Sequence, residues 1–134
     1  MDLIEEVRKA PRIYIIGNGG SYANAIHICN DLLLCGKAAF TLDPATLTAS
    51  ANDFGFVTVF ERWLNVVGQK DDLLIALSGS GRSENILRGI STAAKKEMKV
   101  WLETDYLRTY DMQASEERQL LMGHNLLRAL RGSK

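Results

Sequence analysis

Two rhythms of hydrophobic and polar residues run through this chain. Unbroken apolar runs stand at Ile13-Tyr14-Ile15-Ile16 and at Leu73-Leu74-Ile75-Ala76-Leu77, and each ends in glycine and serine. Between and after them, apolar residues recur at intervals of three and four: Ala25, Ile28, Cys29 and Leu32; then Val59, Phe60, Trp63, Leu64 and Val67; then Ile86, Leu87, Ile90 and Ala94. Short continuous runs bounded by turn residues predict buried strands, and the spaced patterns predict amphipathic helices.

In order, the pattern predicts a short helix from Leu3 to Ala10, ended by Pro11, and a strand through Ile16. A helix from about Ser21 to Leu34 follows, stopping near Gly36, then a short strand Ala38–Leu42 and a turn at Asp43-Pro44. Thr46 to Ala51 reads as a short helix, and Asn52-Asp53-Phe54-Gly55-Phe56 as an interruption. The Val59–Val67 helix feeds the Leu73–Leu77 strand, and a helix beginning at Glu84 carries Lys95 and Lys96 in its last turn, where the dipole favours them. Met98–Leu102 is the next strand. Asp105 to Gln113 shows no period, and Ser115 to Leu130 is a final amphipathic helix with Ser115 as its N-cap.

Strands alternating with helices of ten or more residues imply right-handed crossovers and an α/β fold. The expectation is a three-layer αβα sandwich with a parallel sheet of about four strands. At 134 residues and 46% hydrophobic, with no repeat or linker, the chain fits a single domain over 1–134. Sixteen basic residues balance sixteen acidic ones, which argues against a nucleic-acid partner. No apolar run approaches a spanning helix and the N-terminus lacks a signal-peptide layout, so the reading is a cytoplasmic protein with no membrane partner. Cys29 and Cys35 point in different directions, form no disulfide, and read as apolar fillers.

Candidate chemistry begins where the two apolar runs end. Gly17-Asn18-Gly19-Gly20-Ser21 joins strand to helix, where glycines let backbone N–H groups approach an anion and the helix dipole favours it. Ser78-Gly79-Ser80-Gly81-Arg82-Ser83 is a second such loop, with three hydroxyls around one small concavity, and reads as a phosphate cradle. The chain has two histidines. His27 and Asp31 stand one helical turn apart on one face, while Glu116 and Glu117 precede His124 by eight and seven residues. If the two helices meet, imidazoles and carboxylates converge in a set suited to zinc or another divalent transition metal. Spacing alone fits surface histidines with an accidental acid neighbour better than a metal site.

These pieces, together with Ala51-Asn52-Asp53-Phe54-Gly55, resemble the sugar isomerase (SIS) domain family, and within it the phosphoheptose isomerases, from about Arg12 to Thr104 and again over the last helix. The resemblance implies a SIS-type, flavodoxin-like fold and a sugar-phosphate ligand. It implies that Ser78, Gly79, Ser80 and Ser83 hold the phosphate, and that Asn18, Gly19, Gly20, Ser21, Asn52 and Asp53 contact the sugar chain. It further implies that His27, Asp31, Glu116 and His124 hold zinc, with Asp31 as catalytic base and His124 as catalytic acid in converting sedoheptulose 7-phosphate to a manno-heptose 7-phosphate. Asp31 stands where the family has glutamate, Glu116 where it has glutamine, Gly79 where it has a hydroxyl residue and Arg82 where it has asparagine. The family's long N-terminal helix and the segment of its fifth strand are nearly absent from this sequence.

Two functional readings stay open. One is an aldose–ketose isomerase, slowed by the shorter Asp31. The other is a non-catalytic SIS module that binds a sugar phosphate or a protein partner. Either is expected to form a homo-oligomer, dimer or tetramer, because Trp63, Phe60 and the apolar last helix offer more apolar surface than one subunit covers.

Overall fold

The computed structural model describes residues 1–104 and 111–132. Four parallel strands, β1 (Ile13–Gly17), β2 (Ala39–Thr41), β3 (Leu73–Leu77) and β4 (Lys99–Glu103), lie in the order β2-β1-β3-β4. Every residue of β1 and β3 is buried, as unbroken apolar runs require of strands covered on both faces. The edge strands are shorter or more exposed.

Helices cover both faces, which gives the expected three layers. On one face α1 (Leu3–Lys9), α2 (Gly20–Leu34) and α6 (Met112–Gly132) enclose Val7, Ile13, Ile15, Ile28, Leu32, Ile75 and Leu126. On the other, α3 (Pro44–Phe54), α4 (Val59–Val67) and α5 (Glu84–Lys95) enclose Tyr14, Ile16, Phe60, Leu64, Leu74 and Ile86. Strand β1 leads through α2 to β2 on one side, and β3 leads through α5 to β4 on the other. The chain therefore changes direction between β1 and β3, where α/β folds open a crevice at the strands' carboxyl ends. Gly17 and Leu77 are register partners, so the glycine loop and the serine loop leave the sheet side by side.

Three local expectations need correction. Asp43-Pro44 is not a free turn: the Asp43 carboxylate accepts from the backbone N–H groups of Ala45 and Thr46, Pro44 opens the helix, and α3 runs on through Asn52 and Asp53 to Phe54. Ser115 is not an N-cap. The last helix begins at Met112, the Ala114 N–H donates to the Asp111 carboxylate, and Ser115 is buried inside the helix. Phe60, expected to add uncovered apolar surface, is fully buried between α4 and the sheet. Of the stretch from Asp105 to Gln113 read as aperiodic, residues 105–110 lie outside the described residues, and Met112 and Gln113 open α6.

Candidate functional site

The glycine and serine loops are stitched together by two amides, a buried Asn85 and a partly buried Asn18. Asn18 Nδ2 donates to Asn85 Oδ1 at 2.8 Å, and Asn85 Nδ2 returns the bond to Asn18 Oδ1 at 3.0 Å. Asn85, in the first turn of α5, played no part in the sequence reading; its signal was a polar side chain beside Ile86 on the buried face of a helix. Asn18 thus serves first to hold two loops in register, leaving one N–H and one lone pair of its amide for a ligand.

Within the serine loop the hydroxyls are partly committed. Ser78 Oγ accepts from the Gly81 N–H at 3.0 Å, and Ser80 Oγ from the Arg82 N–H at 3.1 Å. Ser83 stands at the N-cap of α5 without capping it by its side chain, so its hydroxyl faces no helix N–H. Gly79 has a packing reason to lack a side chain. A Cβ there would meet Ser115 Oγ at 3.0 Å and Met112 Sδ at 3.1 Å, because α6 lies directly against the loop. Thr104 Oγ1 donates to the Gly79 carbonyl at 3.1 Å on the same side.

Glu116 closes the other loop. Its carboxylate lies where a Cβ on Gly20 would project, against the start of α2, whose free N–H groups and dipole suit a negative charge. Glu117 is exposed. Ser21 is buried, with its N–H on the Asn18 carbonyl, whereas Gly19 and Gly20 are exposed. Asn52 and Asp53 stand exposed near the end of α3, Asn52 Nδ2 donating to Asp53 Oδ1.

Two turns further along α2, three predicted residues converge. His27 Nε2 lies 3.2 Å from His124 Nε2 and 3.4 Å from Asp31 Oδ2, and the ligand atoms of all three lie within 4.8 Å of one another. Glu116 is not among them. The Asp31 side chain is 13% exposed, and its Oδ2 is buried with no hydrogen-bond partner among the described residues. Two imidazole nitrogens and a carboxylate oxygen without a hydrogen-bond partner, grouped this closely, form a set that could hold a metal ion.

Two features that hold the histidines together escaped the sequence reading. Asn24, one turn before His27, donates its Nδ2 to the Glu116 carbonyl at 2.8 Å and to Gln119 Oε1 at 3.0 Å, joining α2 to α6. Gly123, beside His124, lets the helices touch: a Cβ there would lie 2.5 Å from Ile28 Cγ1. No sequence signal marked either, since the partners stand more than ninety residues apart. The cysteines are both free, and burial raises the Cys29 thiol above its usual range, an effect the Thr41 backbone partly offsets. No helix among the described residues is long and apolar enough to cross a membrane.

Comparison with known proteins supports the same picture. A phosphoheptose isomerase from Nitratiruptor is 40% identical over 104 residues, covering 72% of this chain and 56% of its own length. The chain spans about half the length of the curated relatives it matches. Solved phosphoheptose isomerases from Francisella tularensis and Neisseria gonorrhoeae superpose with TM-scores of 0.87 and 0.85 at 27% and 26% identity. Each covers 97% of this chain, and the match takes in 83% and 81% of theirs. Residues 2–101 match the SIS domain model, and with the paired loops and flanked parallel sheet already described, the chain belongs to the SIS domain family.

Proposed function

We propose that this protein is a sugar-phosphate aldose–ketose isomerase of the phosphoheptose type, with the phosphate in the serine loop and the reacting carbons at the histidine cluster. The observation that carries this reading is the convergence of His27, Asp31 and His124 from two helices. His27 lies seven residues beyond Gly20, about 10 Å along the helix at ~1.5 Å per residue. That spacing separates the glycine loop, which leaves the sheet beside the serine loop, from the cluster.

In this reading Ser80 and Ser83 donate hydroxyl protons to the phosphate, and the serine-loop backbone fixes its position. The Asp31 carboxylate takes the proton from the hydroxyl-bearing carbon next to the carbonyl. The electron pair left behind forms the carbon–carbon double bond of an enediol, and His124 gives a proton to the former carbonyl oxygen. Return of the carbon-bound proton to the neighbouring carbon, with loss of the proton from the other oxygen, completes the exchange of aldose and ketose. A zinc-class ion on His27, Asp31 and His124 would polarise the substrate oxygens as a Lewis acid; Glu116, expected from the sequence as a fourth ligand, instead lies over Gly20. Asp31 is one methylene shorter than glutamate, so its reach to a substrate carbon is shorter by on the order of an ångström, and slow turnover follows.

The shorter acid also favours a second reading, a SIS module that binds sugar phosphate without turning it over. Homo-oligomerisation belongs to both readings. Exposed Ile26, Leu33 and Leu34 on α2 flank the half-exposed His27, so a second subunit there would cover apolar surface and shield the cluster from water. The deciding experiment offers sedoheptulose 7-phosphate to purified protein with and without added zinc, beside His27→Ala. Aldose formed by the parent and lost in the variant supports the enzyme. Tight sugar-phosphate binding without product supports the binding module.

A further inference from the structure

The contact between α2 and α6 is mostly apolar: Ala25, Ile28 and Leu32 pack in one cluster with Leu126. Such packing is non-directional and tolerates sliding. A slip of one residue moves a helix about 1.5 Å and turns it about 100°, which would carry His124 away from His27. The close Gly123–Ile28 contact sets how near the helices come, and a directional bond beside it can fix their register. Besides the two histidines, a polar contact between the helices is made by Asn24, whose Nδ2 sits between two turns of α6, on the Glu116 carbonyl and Gln119 Oε1.

Gln119 is only 2% exposed, and its Nε2 has no hydrogen-bond partner among the described residues. A half-satisfied buried amide is a poor stabiliser, and an apolar side chain of similar shape would serve stability as well or better. Its contribution is therefore one of position, as with a single polar residue that fixes the register of packed helices. We infer that Asn24 and Gln119 are positioning residues: their hydrogen bond locks α6 against α2 in the one register that brings His124 Nε2 to within 3.2 Å of His27 Nε2. The metal and proton-transfer roles of that cluster rest on the function proposed above, whereas the register claim concerns the two rings alone.

The test is Asn24→Leu combined with Gln119→Leu, which removes both partners and leaves no orphaned amide, so the protein retains its fold. Two signals are read. The first needs no metal: the ring centroids of His27 and His124 lie 5.2 Å apart, within reach of a proton–proton NOE, and the chain has no other histidine to confuse the assignment. The second is the affinity and visible spectrum of bound Co2+, a coloured stand-in for zinc. The inference predicts that the double variant melts at or above the parent temperature, loses the ring-to-ring NOE, and binds Co2+ about 10–100-fold more weakly with an altered spectrum. A variant that keeps the NOE and binds Co2+ within twofold of the parent overturns it, whatever its melting temperature, because a merely structural pair would move stability and nothing else. Asn24→Ser, which keeps a donor but not its reach to both acceptors, reads the same two signals should the double variant fail to fold. A parent protein that shows the NOE but binds no Co2+ refutes the metal reading alone, and the NOE in the variants then decides the register claim. A parent without the NOE overturns the register claim itself.

Discussion

Replacing Gly123 by alanine puts a methyl group where the structure has no room for it. The new carbon lies 2.5 Å from Ile28 Cγ1 and 3.0 Å from Ile28 Cδ1, and Ile28 is itself buried against the sheet. Carbon atoms pack at about 3.5–4.0 Å, so α6 must draw back from α2 by roughly 1–1.5 Å. Two effects on stability oppose each other. Alanine favours a helix over glycine by about 1 kcal/mol, and overpacking a tight contact costs about 1–3 kcal/mol. The net loss is therefore small, about 0–2 kcal/mol. The effect on the cluster is not small, because a metal site tolerates errors of only about 0.2 Å in its ligand distances. The account predicts a nearly normal melting curve together with Co2+ affinity lowered by about 10–100-fold. Adding Ile28→Ala removes the conflicting atoms, restoring the affinity while lowering stability by a further 2–5 kcal/mol or so. Unchanged Co2+ affinity in Gly123→Ala refutes the claim that close helix approach builds the site.

Ser80→Ala and Ser83→Ala should each weaken inorganic phosphate or sugar-phosphate binding by roughly 1–3 kcal/mol, read by calorimetry, if a charge-assisted hydrogen bond is lost; unchanged affinity in both sinks the phosphate assignment. Asn85→Leu should destabilise the protein by about 1–3 kcal/mol by stranding Asn18, and a Tm equal to the parent's contradicts the stitching of the two loops. Stability should fall in alkali. Burial raises Cys29 above its ordinary 9.0, and burial followed by the nearby charges of Asp72 and Asp43 raises Tyr14 and Tyr22 above 10.0. The folded state holds these protons more tightly than the unfolded chain. Their contribution is fully present below the ordinary values and is lost as pH rises through the raised ones; a urea midpoint constant from pH 8 to 11 contradicts this.

The layered fold was legible because unbroken apolar runs and three-to-four spacings are local signals, and Ile13–Ile16 and Leu73–Leu77 carry them without interruption. The ends of helices were less legible. Asp43-Pro44 has the chemistry of a cap followed by a first-turn proline as well as that of a turn, and only the course of α3 separates the two. Serine favours the cap position, but Asp111 caps the helix and Ser115 packs on Gly79. The two loops and the His27/Asp31 pair could be found from spacing within one element. Their partners could not. Asn24 on Gln119, Gly123 on Ile28, Asn18 on Asn85 and Glu116 over Gly20 are contacts between distant segments, and no periodicity along the chain encodes them.

The central claim is that the histidine cluster moves a proton between neighbouring carbons of a sugar phosphate. Proton transfer through an enediol leaves a mark even when turnover is slow, since a carbon-bound hydrogen exchanges with solvent. Incubating the zinc-loaded protein with sedoheptulose 7-phosphate in D2O and following the sugar by NMR reads that mark directly. The account predicts deuterium at the carbon next to the carbonyl and a growing aldose signal, both absent with Asp31→Asn. Sugar phosphate that binds but gains neither deuterium nor an aldose signal contradicts the isomerase and leaves a binding module in its place.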